Sequence, residues 1–365
     1  MTMKKILIYT LATLCLVQTA ISQETHFLPN HLAVLRAGDG VLDLKLKQSP
    51  IFVDQFDPAT FNAKPSLSVA IPTNGPNSFF LNGHAATEGT LTRSTDHKLL
   101  AFAGYGGMNL LQMSGTASRL DLQRGIATVN NTGAVQSFLY HSDTSNPKMN
   151  PRGAATDGTN AFWACGNASG TFYFNPSTQK DPVRFTEMPN SRAIRIINHA
   201  LYASLNEADA LALDKTSGIY SFSPQALPQQ SATAIHLAIP ADAAYRNVVS
   251  FDLNPAGDVA YMADTSAGIQ KYVKSSGAWK FAYNFPIPQI IPAELNHASG
   301  CFGLVVDFSG QTPIIFATTT EGYDGSVNSN RVVRIVDTGA TAAVTTIAQC
   351  TSTNMVYRGI EFTPN

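Results

Sequence analysis

Four arginines occupy the same place in four similar segments of the sequence. Each stands directly before a short run of small and apolar residues: Arg152 before Gly-Ala-Ala, Arg192 before Ala-Ile-Arg, Arg246 before Asn-Val-Val and Arg358 before Gly-Ile-Glu. If these segments meet around one axis, two such charges ~10 Å apart repel by about 0.4 kcal/mol in water and about 1.7 kcal/mol at an effective dielectric of 20. A ring of this kind would bind a carboxylate, sulfate or phosphate. The alternative is that each arginine donates to carbonyls or acids of a neighbouring segment, and the sequence leaves both interpretations open.

A carboxylate and an imidazole stand at two comparable positions. Glu88 precedes Gly-Thr-Leu, and His297 lies shortly before Gly-Cys-Phe. Both kinds of side chain act as general acids or bases, so these two are the candidate catalytic residues if the protein is an enzyme. The sequence contains no G-x-S-x-G or H-E-x-x-H motif, which argues against a classical serine hydrolase or zinc protease.

One loop is rich in oxygen ligands. It contains Glu321, Asp324, Asn328 and Asn330. Calcium prefers carboxylate and amide oxygens, but the spacing of an EF-hand loop is absent. The pattern therefore favours a solvated loop over a calcium site.

These residues must be positioned by short strands. The stretch from Arg246 to Pro286 contains four apolar runs, which are Val248–Leu253, Val259–Ala263, Gly268–Val273 and Trp279–Phe285, separated by groups of turn residues. Runs this short, rich in Val, Tyr and Phe, are typical of strands. Four strands in succession predict an antiparallel meander. Because such a sheet cannot bury both faces alone, we expect it to stack on the weaker copies of itself along the chain.

The repeat predicts an all-β protein with the β-propeller fold. Six four-stranded blades can be counted, whereas the ~40–45 residues of a common blade would allow seven. Only three strands precede the second blade, so we expect the C-terminal segment Tyr357–Pro364 to supply the missing innermost strand and close the ring. The four arginines and Glu88 then lie at the starts of innermost strands, at one mouth of the central channel.

The N-terminus predicts export. Lys4 and Lys5 precede the apolar run Ile6–Leu16, and Ala20 and Ser22 are spaced for a signal peptidase, so residues 1–22 are predicted to be a signal peptide and 23–365 one propeller domain. We expect a secreted or periplasmic protein, without a membrane span after cleavage. Without the two lysines the formal charge is about −3, since 22 basic residues face 25 acidic ones. No polybasic run is present, which argues against nucleic-acid binding. A monomer is expected.

The pattern of blades resembles that of secreted bacterial β-propellers of the broad NHL, YVTN and lactonase-like kind. The likeness rests on the third strands, which read GTFYF, GIYSF, GIQKY and RVVRI, and on the final Arg-Gly-Ile-Glu-Phe-Thr-Pro, and it covers Leu32 to Pro364. In lactonase-like relatives a carboxylate and asparagines hold a divalent cation such as calcium at the channel. Glu88 and Asn247 are similar to part of that set, although nearby arginines would repel a cation. From the arginines we expect an exported binding or scaffold protein that recognises an anionic small molecule or acidic glycan at the channel mouth. The alternative is a lactonase-like hydrolase or lyase that acts at the same mouth.

Three cysteines remain after signal removal: Cys165, Cys301 and Cys350. Cys301 and Cys350 could pair in an oxidising compartment. Their predicted positions on the first and last strands of one blade are about three strand spacings of ~4.8 Å apart, beyond the reach of a disulfide. We therefore expect buried free thiols.

Overall fold

The computed structural model describes residues 25–45, 48–107, 123–140, 150–167, 170–188, 190–222, 226–290, 299–327 and 329–365. The predicted signal peptide, His297 and Asn328 lie outside these residues. Within them the protein is almost entirely β-structure, and none of the helices found there is both long and apolar enough to cross a membrane.

The first three blades are antiparallel sheets built largely from consecutive strands. Blade one contains β1 (Leu32–Ala37), β2 (Ile51–Phe56) and β3 (Leu67–Ala70), joined by β25 (Val356–Phe362) on the inner side of β1. Blade two contains β4 (Phe79–Phe80), β5 (Thr92–Arg93), β6 (Leu99–Gly106), β7 (Gln123–Asn130) and β8 (Val135–Tyr140). Blade three contains β9 (Pro151–Thr156), β10 (Phe162–Gly166), β11 (Phe172–Phe174) and β12 (Val183–Arg184).

The remaining three blades are regular four-stranded meanders. Blade four contains β13 (Ile194–Ile197), β14 (Ala200–Leu205), β15 (Gly218–Phe222) and β16 (Ile235–Pro240), with the short helix α1 (Glu207–Ala212) between β14 and β15. Blade five contains β17 (Val248–Leu253), β18 (Val259–Asp264), β19 (Gly268–Ser275) and β20 (Ala278–Phe285). Blade six contains β21 (Cys301–Asp307), β22 (Ile314–Thr319), β23 (Arg331–Val336) and β24 (Val344–Gln349). The prediction of a six-bladed propeller is confirmed.

The C-terminal strand closes the ring as predicted. β25 pairs antiparallel with β1, with Leu32 opposite Phe362 and Val34 opposite Ile360. It also packs against β5 of blade two and β21 of blade six. The approach to blade two is close, because a Cβ added at Gly359 would lie 2.3 Å from the backbone nitrogen of Leu91. Only glycine allows the inner strands to meet at this distance.

The core lies between neighbouring blades. In the described part of the chain the buried apolar side chains form one cluster at each junction. Between blades three and four, for example, Trp163 and Phe185 pack with Leu201 and Phe222. Each sheet therefore buries both faces against its neighbours, which is why the meander pattern requires a ring.

The three cysteines of the folded part are free and buried. Cys301 begins the innermost strand of blade six, and Cys350 directly follows the outermost strand of the same blade. The two cysteines thus lie at opposite edges of one sheet, as the strand assignment predicted. Burial raises the pKa of both Cys165 and Cys350 to about 12, so these thiols are unreactive in the folded protein.

Candidate functional site

The starts of the innermost strands meet at one end of the channel, which we call the arginine mouth. Its cavity is lined by Glu88 before β5, Arg192 before β13, Val249 in β17, Phe302 in β21 and Arg358 in β25. The cavity measures about 20 Å³. A water molecule needs roughly 10–15 Å³ on the same measure, so the enclosed part admits one small group.

Arg358 is the buried cation of this cavity. Its side chain is 2% exposed, and its guanidinium carbon lies 5.5 Å from the centre of the Phe302 ring. Nη2 donates to the carbonyl of Gly83 at 3.0 Å and to that of Tyr323 at 3.4 Å. Among the described residues Nη1 has no hydrogen-bond partner. A buried guanidinium nitrogen without an acceptor is costly, and a ligand oxygen in the cavity would relieve that cost.

Glu88 lies close enough to act on Arg358. Burial lowers the pKa of Arg358 to about 10, and the negative charge of Glu88 opposes that shift. Arg358 therefore keeps its charge at neutral pH. Glu88 is itself 2% exposed, and its two carboxylate oxygens accept hydrogen bonds from the backbone of Asn82 and the hydroxyl of Tyr105, both at 2.8 Å. These bonds fix Glu88 in place, and its proposed role as a general acid or base stays a prediction.

Two further arginines share one carboxylate, which belongs to α1. Arg192 Nε donates to Asp209 Oδ2 at 2.5 Å, and Arg152 Nη1 lies 3.5 Å from the same oxygen. Arg152 also donates to the side chain of Asn190 at 2.7 Å and to the carbonyl of Ser191 at 3.0 Å. Burial and the neighbouring Arg192 lower the pKa of Arg152 to about 10. Arg152 thus ties blade three to blade four, as in the structural interpretation of these arginines.

Arg246 lies apart from the cavity. Its side chain is 45% exposed and pairs with the equally exposed Glu207 at 2.9 Å. The structure therefore brings Arg192 and Arg358 together with Glu88 in one cavity, but it does not place Arg152 or Arg246 among the lining residues. Of the four arginines predicted to form a ring, Arg192 and Arg358 line this cavity. Arg152 shares Asp209 with Arg192, and Arg246 forms a partly exposed ion pair outside the cavity.

The residues proposed for a cation do not form a site that fits one. The side-chain amide of Asn247 contacts the Ser266 hydroxyl at 3.4 Å, and Asn247 does not line the cavity with Glu88. In the loop of blade six, Glu321 is fully buried and paired with Arg331 at 2.8 Å. Across the described part of the chain, no three His, Cys, Asp or Glu side chains lie close enough to hold a metal. The positive charge of Arg358 beside Glu88 also disfavours a divalent cation.

Sequence reasoning overlooked the charged residues at the other ends of the inner strands. Arg195 in β13 donates to Glu361 in β25, and it donates to the carbonyl of Leu304 in β21 at 3.0 Å. Blades four and one are opposite in a ring of six, so the Arg195–Glu361 contact spans the channel. The sequence contained an indication of this pair, because Arg195 follows Arg192 by three residues and Glu361 follows Arg358 by three residues. Three residues span about 10 Å along a strand, so both side chains are expected at the same depth in the channel.

Comparison with known proteins supports the fold and leaves the family open. No protein-family model matches the sequence, and no curated protein matches it. Among solved structures, a chain of the nidogen/laminin complex is 10% identical, with 90% of this chain and 97% of that chain covered and a TM-score of 0.50. Candidate 6-phosphogluconolactonases of Bacteroides uniformis and Bacteroides fragilis are 11% and 12% identical, each covering 88% of this chain and 83% and 82% of their own, with TM-scores of 0.46. At these identities the likeness concerns the fold alone.

Proposed function

We propose that this protein is an exported binding propeller that recognises an anionic small molecule or acidic glycan at the arginine mouth. The observation that carries the proposal is Arg358, a buried residue that lines the cavity and whose Nη1 lacks an acceptor among the described residues. Arg192 contributes a second positive charge to the same cavity, partly offset by Asp209. The ligand's charged group accepts from Arg358 and its remainder lies outside.

The size of the cavity sets what can enter. At about 20 Å³ it holds one oxygen of a carboxylate, sulfate or phosphate, but not a sugar ring. A charge-assisted hydrogen bond contributes about 1.5–3 kcal/mol, which corresponds to roughly a ten- to hundred-fold change in affinity. Most of the binding energy of a larger ligand therefore comes from its contacts around the mouth.

Anion binding is tested by comparing two matched variants. We expect citrate and an acidic oligosaccharide to raise the melting temperature of the wild-type protein, and Arg358→Gln to reduce the apparent affinity ten- to hundred-fold. Arg246→Gln makes the same chemical change on an exposed side chain outside the cavity, and it should leave the response unchanged. Some anions stabilise any folded protein because they are excluded from its surface. The informative quantity is therefore the difference in melting-temperature response between the two variants.

Equal responses of the two variants would overturn the proposal, as would a wild-type protein that gains no stability from any of these anions. If Arg358→Gln proves too unstable to purify, isothermal titration of Arg246→Gln and the wild type with citrate still decides whether an anion binds.

We propose export because of the N-terminal pattern of Lys4, Lys5, the apolar run and the small residues before Gln23. The intact mass of protein recovered outside the cytoplasm tests this. Cleavage after Ser22 is the expected result, and a mass that includes Met1 would contradict it.

A further inference from the structure

The ends of the innermost strands form a second mouth, on the other side of Arg195, with a cavity of about 280 Å³. It is more than ten times larger than the cavity at the arginine mouth. Its lining is mixed: polar and charged side chains stand beside an apolar part formed by Ile196, Leu253, Phe308 and Phe362. A volume of this size accommodates a small organic molecule.

Asp252 lines this cavity and differs from most buried acids of the protein. Asp54, Asp209, Glu321, Asp337 and Glu361 are each paired with a basic side chain. Asp252 is 8% exposed, and among the described residues its carboxylate accepts hydrogen bonds only from the backbone, from Leu253 at 3.0 Å and Val306 at 2.9 Å. Among the described residues no basic side chain is within ion-pair distance of it, since Arg195 is engaged by Glu361.

The second mouth also contains several charged side chains. Burial raises the pKa of Asp252 to about 6, with Glu361 adding to the shift and Arg195 opposing it. Asp252 is thus mostly ionised at pH 7.5, and Arg195 attracts it without forming an ion pair with it. The other charged groups at this mouth are Arg93, which donates to the carbonyl of Thr363 at 3.3 Å, and His97, whose pKa is lowered by burial and by Arg93.

We propose that the second mouth binds a small organic ammonium ion, with the Asp252 carboxylate as its counter-charge and the apolar wall around Phe308 as the seat of its hydrocarbon part. An ammonium group placed here gives a buried anion the kind of partner that five other buried acids already have. The aromatic rings add an attraction for a cation. This site is distinct from the proposed anion site, because the two cavities share no lining residue.

Benzylammonium and benzyl alcohol are suitable probes, because they share a shape and differ in charge. By calorimetric titration at pH 7.5 we expect benzylammonium to bind at least tenfold more tightly than benzyl alcohol. At pH 5, about one Asp252 in ten is ionised for a pKa of about 6, so the affinity for benzylammonium should fall about tenfold. The affinity for benzyl alcohol should stay constant.

Asp252→Asn at pH 7.5 should lose the preference for the ammonium ion. The same variant separates the effect of Asp252 on the pH dependence from that of His97. His97 gains a positive charge on acidification and would also repel a cation, and in Asp252→Asn only this contribution remains. Asp242→Asn, in the loop that leads to the opposite end of blade five, is the matched control and should bind like the wild type.

Equal binding of the two probes, or binding of neither, would overturn the proposal. So would an Asp252→Asn variant that still prefers the ammonium ion. If that variant fails to fold, the comparison of the two probes at two pH values on the wild-type protein decides the question.

Discussion

Replacing Gly359 by alanine tests the ring closure at its tightest contact. The added Cβ would lie 2.3 Å from the backbone nitrogen of Leu91 and 2.5 Å from the carbonyl oxygen of Gly89. Both neighbours are backbone atoms in the segment that leads into β5, so they cannot rotate away as a side chain could. Relief requires the inner strands of blades one and two to separate, and overpacking of this kind costs about 1–3 kcal/mol.

Thermal unfolding measures the effect. For a chain of this length the unfolding entropy is about 0.7 kcal/mol/K, so the melting temperature should fall by about 1–4 °C. Gly310→Ala is the matched control, because the nearest atom to its added Cβ is 3.7 Å away in the turn between β21 and β22. If Gly359→Ala melts together with Gly310→Ala and the wild type, β25 does not pack against the segment before β5 as described, and the closure argument fails.

Other predictions concern the channel, the thiols and pH. Arg195→Met should destabilise by about 3–5 kcal/mol in denaturant unfolding, because Glu361 is left buried without its partner; a cost under about 1 kcal/mol would show that the ion pair across the channel is not formed. Protein cleaved before Gln23 should show no reactive thiol when native and three when denatured; one thiol after denaturation would reveal a disulfide. The raised pKa of Asp252 means that the folded state holds its proton more tightly than the unfolded state. Wild-type stability should therefore fall by about 3 kcal/mol relative to Asp252→Asn as the pH rises from about 4 to above 6. A constant difference between the two stability curves would contradict the assigned environment of Asp252.

The sequence determined the architecture because its signals are local. Short runs of β-formers bounded by turn residues define each strand, as in Val248–Leu253, which is observed at its predicted bounds. Counting strands also predicted that the chain's end must complete blade one. The division of the inner edge of blade two between β4 and β5 was not predicted, because both strands have only two residues and carry no periodicity.

The candidate site could be predicted only in part. The common position of the arginines before small residues correctly placed Arg192 and Arg358 at one mouth with Glu88. The directions of the Arg192 and Arg246 side chains were decided by their ion-pair partners. Asp209 and Glu207 lie on α1, a six-residue helix too short to show a helical repeat, and they hold Arg192 and Arg246.

Tertiary structure alone decided the state of the channel. Arg195 and Glu361 are 166 residues apart, and their contact exists only because a ring of six places blades four and one on opposite sides of a narrow axis. Among the described residues, the same geometry leaves Asp252 buried without an ion pair, while its neighbours Arg195 and Glu361 pair with each other. A sequence shows which residues carry charge, but the energy of a buried charge depends on distances and on excluded water, and both are set by how the blades pack.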